Sequence, residues 1–175
     1  MKIAILSDSH DNIPNLRAAV EHCNGLGAGL LIHCGDLISP FMLDELARFG
    51  GAVHLVYGNN AGDQHLIGRA CGTTLPAISH HGLFGAVEAG GLKIAFTHYP
   101  EMARGLLAGG GFEVVCCGHN HRYQVEAAGD GALLINPGEL LGKDAQPSFA
   151  VLETASRKVV RIDVGEPLFS NLLNP

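Results

Sequence analysis

Five short, mostly apolar runs in this chain each stop at a side chain able to bind a metal. That recurrence limits the fold more than any other feature. The first run, Ile3 to Leu6, ends before Asp8 and His10. Leu30 to Cys34 ends at Gly35-Asp36, and Val53 to Tyr57 ends at Gly58-Asn59-Asn60. Leu92 to Thr97 ends at His98, and Val114 to Cys117 ends at Gly118-His119-Asn120-His121. Continuous apolar runs this short, bounded by turn residues, read as strands buried on both faces. Open α/β sheets place ligands beyond the carboxyl ends of such strands. Asp8 and His10 are two apart, so they can project together only if the backbone turns between them.

Helical signals separate the first three runs. Pro14 to Cys23 carries Pro in its first turn and puts Leu16, Ala19, Val20 and Cys23 on one face. A second helix is expected from Pro40 to about Phe49, and a weaker one from Gly62 to Ala70. The order β-α-β-α-β-α predicts parallel strands with helical crossovers.

The second half changes character. Leu83 to Ala89 and Leu92 to Thr97 meet at Gly90-Gly91, a hairpin signal. Glu101 to Leu107 reads as a short helix, stopped by three glycines. After the run at Val114, four further strand-like segments follow: Tyr123 to Ala127, Ala132 to Ile135, Phe149 to Glu153 and Lys158 to Val164. They read as a closing strand meander. Two facing sheets with helices outside would bury all of it. The tail, 166–175, is expected to be loosely held. At 175 residues the chain is expected to form one domain, spanning 1–175.

Composition narrows the function classes. An apolar content of 47% with 16% charged residues excludes a disordered chain. A net charge of −6 with no basic cluster argues against nucleic acid as a partner. Ten histidines against 11 Lys and Arg favour metal chemistry. Five cysteines, odd in number and without a C-x-x-C, fit buried thiols in a reducing compartment. Asp8 and His10 interrupt the first apolar run, so no signal peptide is expected, and no run is long enough to span a membrane. The expectation is a cytoplasmic protein without a membrane partner.

Asp8, His10, Asp36, Asn59, His98, His119 and His121 supply carboxylate, amide oxygen and imidazole. That mixture suits Mn, Fe, Co, Ni or Zn better than Ca or Mg. Seven ligands exceed the needs of one such ion and match two sharing a bridging carboxylate. Each motif alone is a weak signal, with Gly118-His119-Asn120-His121 the strongest; their conjunction at five strand ends is not turn chemistry.

The order D-x-H, G-D, G-N, H and G-H-x-H resembles that of the calcineurin-like metallophosphoesterase family over essentially the whole chain. The start Lys2 to His10, the segment Gly90 to Ala95 and Asn136-Pro137-Gly138-Glu139 are similar to those of its small single-domain bacterial and archaeal phosphodiesterases. The resemblance implies a four-layer α/β/β/α sandwich of two mixed sheets. It implies two divalent transition-metal ions, manganese first among Mn, Fe, Ni, Zn and Co. One is held by Asp8, His10, Asp36 and His121, the other by Asp36, Asn59, His98 and His119. A bridging hydroxide would attack the phosphorus of a small phosphodiester in line, and a homodimer is expected.

The chain departs from the family at two places. Members usually read G-N-[HCN]-D, often with His as leaving-group acid or phosphate donor, where this chain has Gly58-Asn59-Asn60-Ala61. Asn60 can donate to phosphate but is no general acid. His-Gly-His is frequent in relatives where this chain has His98-Tyr99-Pro100. Asn59 and Asn60 are the expected catalytic residues; Asn60, Tyr99 and Arg122 are expected to meet substrate. Diesters with good leaving groups are expected to be favoured over monoesters. His33 and His54 are expected to be packing residues, His22 and His65 solvated, and His80-His81 part of a loop. The alternative is a non-catalytic scaffold of the same fold, as in the retromer subunit that resembles this family.

Overall fold

The computed structural model describes residues 1–129 and 131–165. The tail 166–175 and Asp130 lie outside the described residues.

The first half builds β1 (Lys2–Leu6), α1 (Ile13–Gly25), β2 (Leu30–His33), α2 (Met42–Leu46), β3 (Ala52–Leu55) and α3 (Gln64–Ala70). β4 (Ile78–His80), β5 (Phe84–Ala89), β6 (Leu92–Thr97), α4 (Pro100–Gly109) and β7 (Val114–Cys116) follow. β8 (Tyr123–Ala127), β9 (Leu133–Pro137), β10 (Ser148–Glu153) and β11 (Lys158–Asp163) complete the described chain. The strands form a six-stranded sheet in the order β11-β10-β1-β2-β3-β4 and a five-stranded sheet in the order β5-β6-β7-β9-β8. β1 to β4 are parallel, as are β6, β7 and β9; β10, β11, β5 and β8 join antiparallel, so both sheets are mixed.

Alternation along β1 explains the layering. Ile3 and Ile5 point into the space between the sheets, with Ile32, Phe96, Val114, Ile135 and Leu152. Ala4 and Leu6 point the other way, against Leu16, Ala19 and Val20 of α1 and Leu43 and Leu46 of α2. On the far side of the second sheet, Ala95, Val115 and Leu134 pack with Ala103, Leu106 and Leu107 around α4. This is the expected α/β/β/α sandwich, and β1 lies inside the first sheet, covered on both faces. Period-2 side chains facing two different apolar layers are what make its sequence a continuous apolar run.

Four expectations need correction. The second helix runs only from Met42 to Leu46, because the chain at 39–41 is taken up by a turn in which Ser39 bonds to Asp11. The closing segments are not one meander. β8 and β9 form a hairpin in the second sheet, whereas β10 and β11 form one in the first, so the chain crosses between sheets at 138–147. Strand pattern sets which faces are apolar, but not which strand is the partner. His80 belongs to an edge strand rather than a loop, stacking at 3.7 Å on Tyr57. Asn136 and Pro137, which lie beyond the expected Ala132 to Ile135 segment, complete β9. The Gly90-Gly91 hairpin is as expected; φ values of 57° and 80° fit a type I′ turn, which needs positive φ at both central residues and so suits glycine.

All five cysteines are unpaired and buried, Cys23 and Cys71 included. Among the described residues no helix is long and apolar enough to cross a membrane. His33, the last residue of β2, is fully buried and shares a 3.0 Å hydrogen bond with Ser9. Burial pushes its pKa down to about 4 from an ordinary 6.5. The unfolded chain therefore binds the extra proton between these values, and stability falls as pH drops from 6.5 to 4. The expected loss is about 3 kcal/mol. Urea midpoints against pH should show this slope, and His33→Gln, which keeps a partner for Ser9 but cannot titrate, should flatten it.

Candidate metal centre

The carboxyl ends of β1, β2, β3, β6 and β7 open at the same end of the sandwich. Each delivers one or two of the expected ligands. Asp8 and His10 follow β1, Asp36 follows β2, Asn59 follows β3, His98 follows β6, and His119 and His121 follow β7.

The backbone there is unusual. Six non-glycine residues among those described have positive φ, and five of them are ligand candidates: Asp8 (52°), His10 (45°), Asp36 (55°), His119 (74°) and His121 (59°). Such a conformation costs about 1–3 kcal/mol per residue and persists only where the surroundings enforce it. The left-handed turns at 8 and 10 let both side chains project to the same side. His10 N donates to Asp36 O at 2.7 Å, and Asp8 N donates to Gly35 O at 3.0 Å, lacing the two loops together.

The glycines of the motifs have a steric origin. A Cβ at Gly58 would collide with the Asp36 carboxylate, and one at Gly118 with Ser7 Oγ and the Asp8 carboxylate. These loops touch the ligands with bare backbone.

Two clusters result. Asp8, His10 and His121 present ligand atoms within 4.8 Å of one another, and so do Asp8, Asp36 and His98. The two oxygens of Asp36 face opposite ways: Oδ2 lies 3.7 Å from His10 Nε2, and Oδ1 lies 3.4 Å from His98 Nε2. Asn59 Oδ1 stands 2.9 Å from His98 Nε2 and 2.8 Å from His119 Nδ1. All seven expected ligands therefore converge. Asp8, Asp36 and His98 are buried, whereas Asn59 and His119 are exposed, so the site opens to solvent on their side.

The electrostatics call for cations. Asp8 and Asp36 are both essentially buried, at 0% and 2% exposure, and a buried carboxylate without compensating charge is strongly unfavourable. Asp8 Oδ1 and His10 Nε2 are buried and lack hydrogen-bond partners among the described residues. Orphaned polar atoms of this kind at the mouth of a sheet fit divalent ions. Burial works to raise the Asp8 pKa, but His121 and His98 outweigh it and hold it below the usual carboxylate range. His121 is pushed up to about 10 by contact with Asp8 and Glu139, against the effect of its burial. Without a metal, its positive charge offsets those of the Asp8 and Glu139 carboxylates.

The other expected site residues take various positions. Asn60 donates to Asp36 twice, through its backbone N at 2.8 Å and through Nδ2 at 2.7 Å, so its amide is already partly engaged. Tyr99 caps α4 and sets its ring beside His98 and His119, with centroids 5.3 and 5.6 Å away. Arg122 lines a cavity of about 500 Å³ beyond His121, with Asn120, Tyr123, Asp144 and Arg161, rather than the Asn59 side of the site. His54 and His81 pair with each other, 2.9 Å apart, away from the ligands. One residue had no assigned role from sequence. Glu139 is fully buried, and its Oε2 lies 2.8 Å from His121 Nδ1. Its only signal was its place in Asn136-Pro137-Gly138-Glu139.

The calcineurin-like phosphoesterase superfamily domain matches residues 1–157. The chain belongs to that family. A phosphodiesterase of Methanocaldococcus jannaschii is 33% identical over 164 residues, covering 90% of this chain and 96% of the relative. The solved structure of an archaeal phosphodiesterase superposes with a TM-score of 0.87 at 32% identity, covering 94% of this chain and all of that one. Vps29 of Entamoeba histolytica, solved with zinc, shares the fold at a TM-score of 0.65 and 20% identity, covering 93% of this chain and 99% of that one.

Gly58→Ala tests the steric reading of the motifs. Displacing the Asp36 carboxylate should weaken divalent-ion binding by about 10–100-fold, the range for changes that disturb ligand support. Calorimetric titration with Mn²⁺ would measure it, with circular dichroism checking that the variant folds.

Proposed function

We propose that the chain is a dinuclear metal-dependent phosphodiesterase acting on small phosphodiesters. The observation that carries this reading is the convergence of Asp8, His10, Asp36, Asn59, His98, His119 and His121 around unpartnered buried polar atoms. Asp8, His10, Asp36 and His121 would hold one ion, and Asp36, Asn59, His98 and His119 the other. The opposite orientation of the two Asp36 oxygens supports its role as the bridge. The mixed nitrogen and oxygen set suits manganese, with Fe, Ni, Zn and Co as alternatives. Two such ions would supply a hydroxide nucleophile for in-line attack and offset charge on the phosphate.

The chain's own residues do the positioning. Asn60 steadies Asp36 through one amide hydrogen and keeps a second N–H free for a phosphate oxygen. Tyr99, half-buried beside His98 and His119, can offer its hydroxyl to the ester. Arg122 would meet a substituent reaching past His121. Asn60 cannot protonate a leaving group and Ala61 carries no acid, which favours diesters whose leaving group departs unassisted. A cytoplasmic location is consistent with five unpaired buried thiols.

Metal analysis of the purified protein should find about two transition ions per chain. Chelation should remove turnover of a bis(aryl) phosphodiester, and Mn²⁺ should restore it. His98→Ala and Asp36→Asn each remove several kcal/mol of charge stabilisation, so turnover should fall by about 10³-fold or more. Near-wild-type rates in either variant would sink the metal assignment. A chain that stays inert on a panel of diesters and monoesters after reconstitution with Mn, Fe, Ni and Zn would instead be the non-catalytic scaffold.

A further inference from the structure

We infer that Glu139 is the positioning residue for His121, fixing which imidazole nitrogen faces the metal centre; the inference rests on the dinuclear reading above. Glu139 is fully buried and is absent from both ligand clusters. Its two oxygens have separate duties. Oε1 accepts from the backbone N–H groups of Asp144 and Ala145, at 2.6 and 2.7 Å. Oε2 stands 2.8 Å from His121 Nδ1, at ion-pair distance but off the axis of a regular hydrogen bond. Neither Oε2 nor Nδ1 makes a hydrogen bond of regular geometry to any described residue.

The place of Glu139 relative to the ligands is set by backbone. Leu140 N donates to Ser7 O at 3.2 Å and Leu141 N donates to Asp8 O at 2.8 Å. Ser148 N donates to Glu139 O at 2.9 Å. The crossing between the sheets is thereby tied to Ser7 and Asp8 themselves, just beyond the end of β1. On the opposite side of the ring, His121 Nε2 lies 3.4 Å from Asp8 Oδ1. A carboxylate can only accept, so Glu139 keeps a proton on Nδ1 and leaves the Nε2 lone pair for an ion beside Asp8. His98 is held in the same manner, its Nδ1 lying 2.8 Å from Cys34 O with Nε2 toward the centre. The exposed Asp144 carboxylate, 3.5 Å from Nδ1, is the competing candidate.

The chemistry of Glu139→Gln follows from the two backbone donors. They require an oxygen at the Oε1 place, so the amide NH₂ must take the Oε2 place and face His121 Nδ1. A donor there selects the opposite tautomer, with the proton on Nε2 toward the metal. Volume and the Asp144 and Ala145 bonds are kept. Zn²⁺ titration against a competing chelator should find two ions on the wild type. In Glu139→Gln one of them should bind about 10–100-fold more weakly and the other as before. Asp144→Asn should stay within twofold of wild type. Histidine ¹⁵N spectra of the zinc-loaded wild type should show His121 protonated at Nδ1. Unchanged zinc affinity in Glu139→Gln, a loss in Asp144→Asn instead, or an unprotonated Nδ1 in the wild type would each overturn the inference. The wild-type spectrum decides even if the variant fails to fold. A wild type that binds no zinc would instead overturn the dinuclear reading.

Discussion

Everything at the open end of this sandwich answers to the burial of Asp8 and Asp36. Two carboxylates at 0% and 2% exposure need compensating charge, and the fold brings three imidazoles, His10, His98 and His121, within 3.7 Å of them. The imidazoles in turn must be oriented, which draws in Cys34 O for His98 and Glu139 for His121. The glycines follow too, since Gly58 and Gly118 are the surfaces against which the carboxylates rest. A site that must accept cations thus organises the loops at five strand ends.

The strain is concentrated in the same place. Five of the ligand candidates sit in left-handed backbone, which the core of each sheet avoids. The three apolar layers of the four-deep stack supply the rigidity that holds them there. Leu6, Ile32, Phe96 and Val114, all fully buried, lie within a few residues of the ligand loops. Chemistry at the loops and packing in the strands are therefore parts of one design: stiff strands allow costly turns at their ends.

Much of this was legible in the sequence because the relevant physics is local. A strand buried on both faces must be apolar throughout, and a metal ligand must be carboxylate, imidazole or amide oxygen. Ile3 to Leu6 followed by Asp8 and His10 satisfies both conditions in eight residues. The hairpin at Gly90-Gly91 was equally readable, since φ is positive at both positions. Helix α2 was overextended because apolar spacing at Phe41 and Ala47 continues the helical pattern, while the Ser39–Asp11 contact that shortens it is non-local. β4 was missed because three residues, two of them Ser79 and His80, carry too little pattern.

The sequence by itself determined the family, the four layers and the seven ligand candidates, because residue type and spacing encode burial and metal preference directly. The tertiary structure decided which of these side chains meet, that one Asp36 oxygen faces His10 and the other His98, and that Asn60 leans on Asp36. It also decided that the chain crosses between sheets after Pro137 and so delivers Glu139 behind His121. Pairing partners and the proximity of residues separated by more than a hundred positions depend on how strands assemble. No local propensity carries that information.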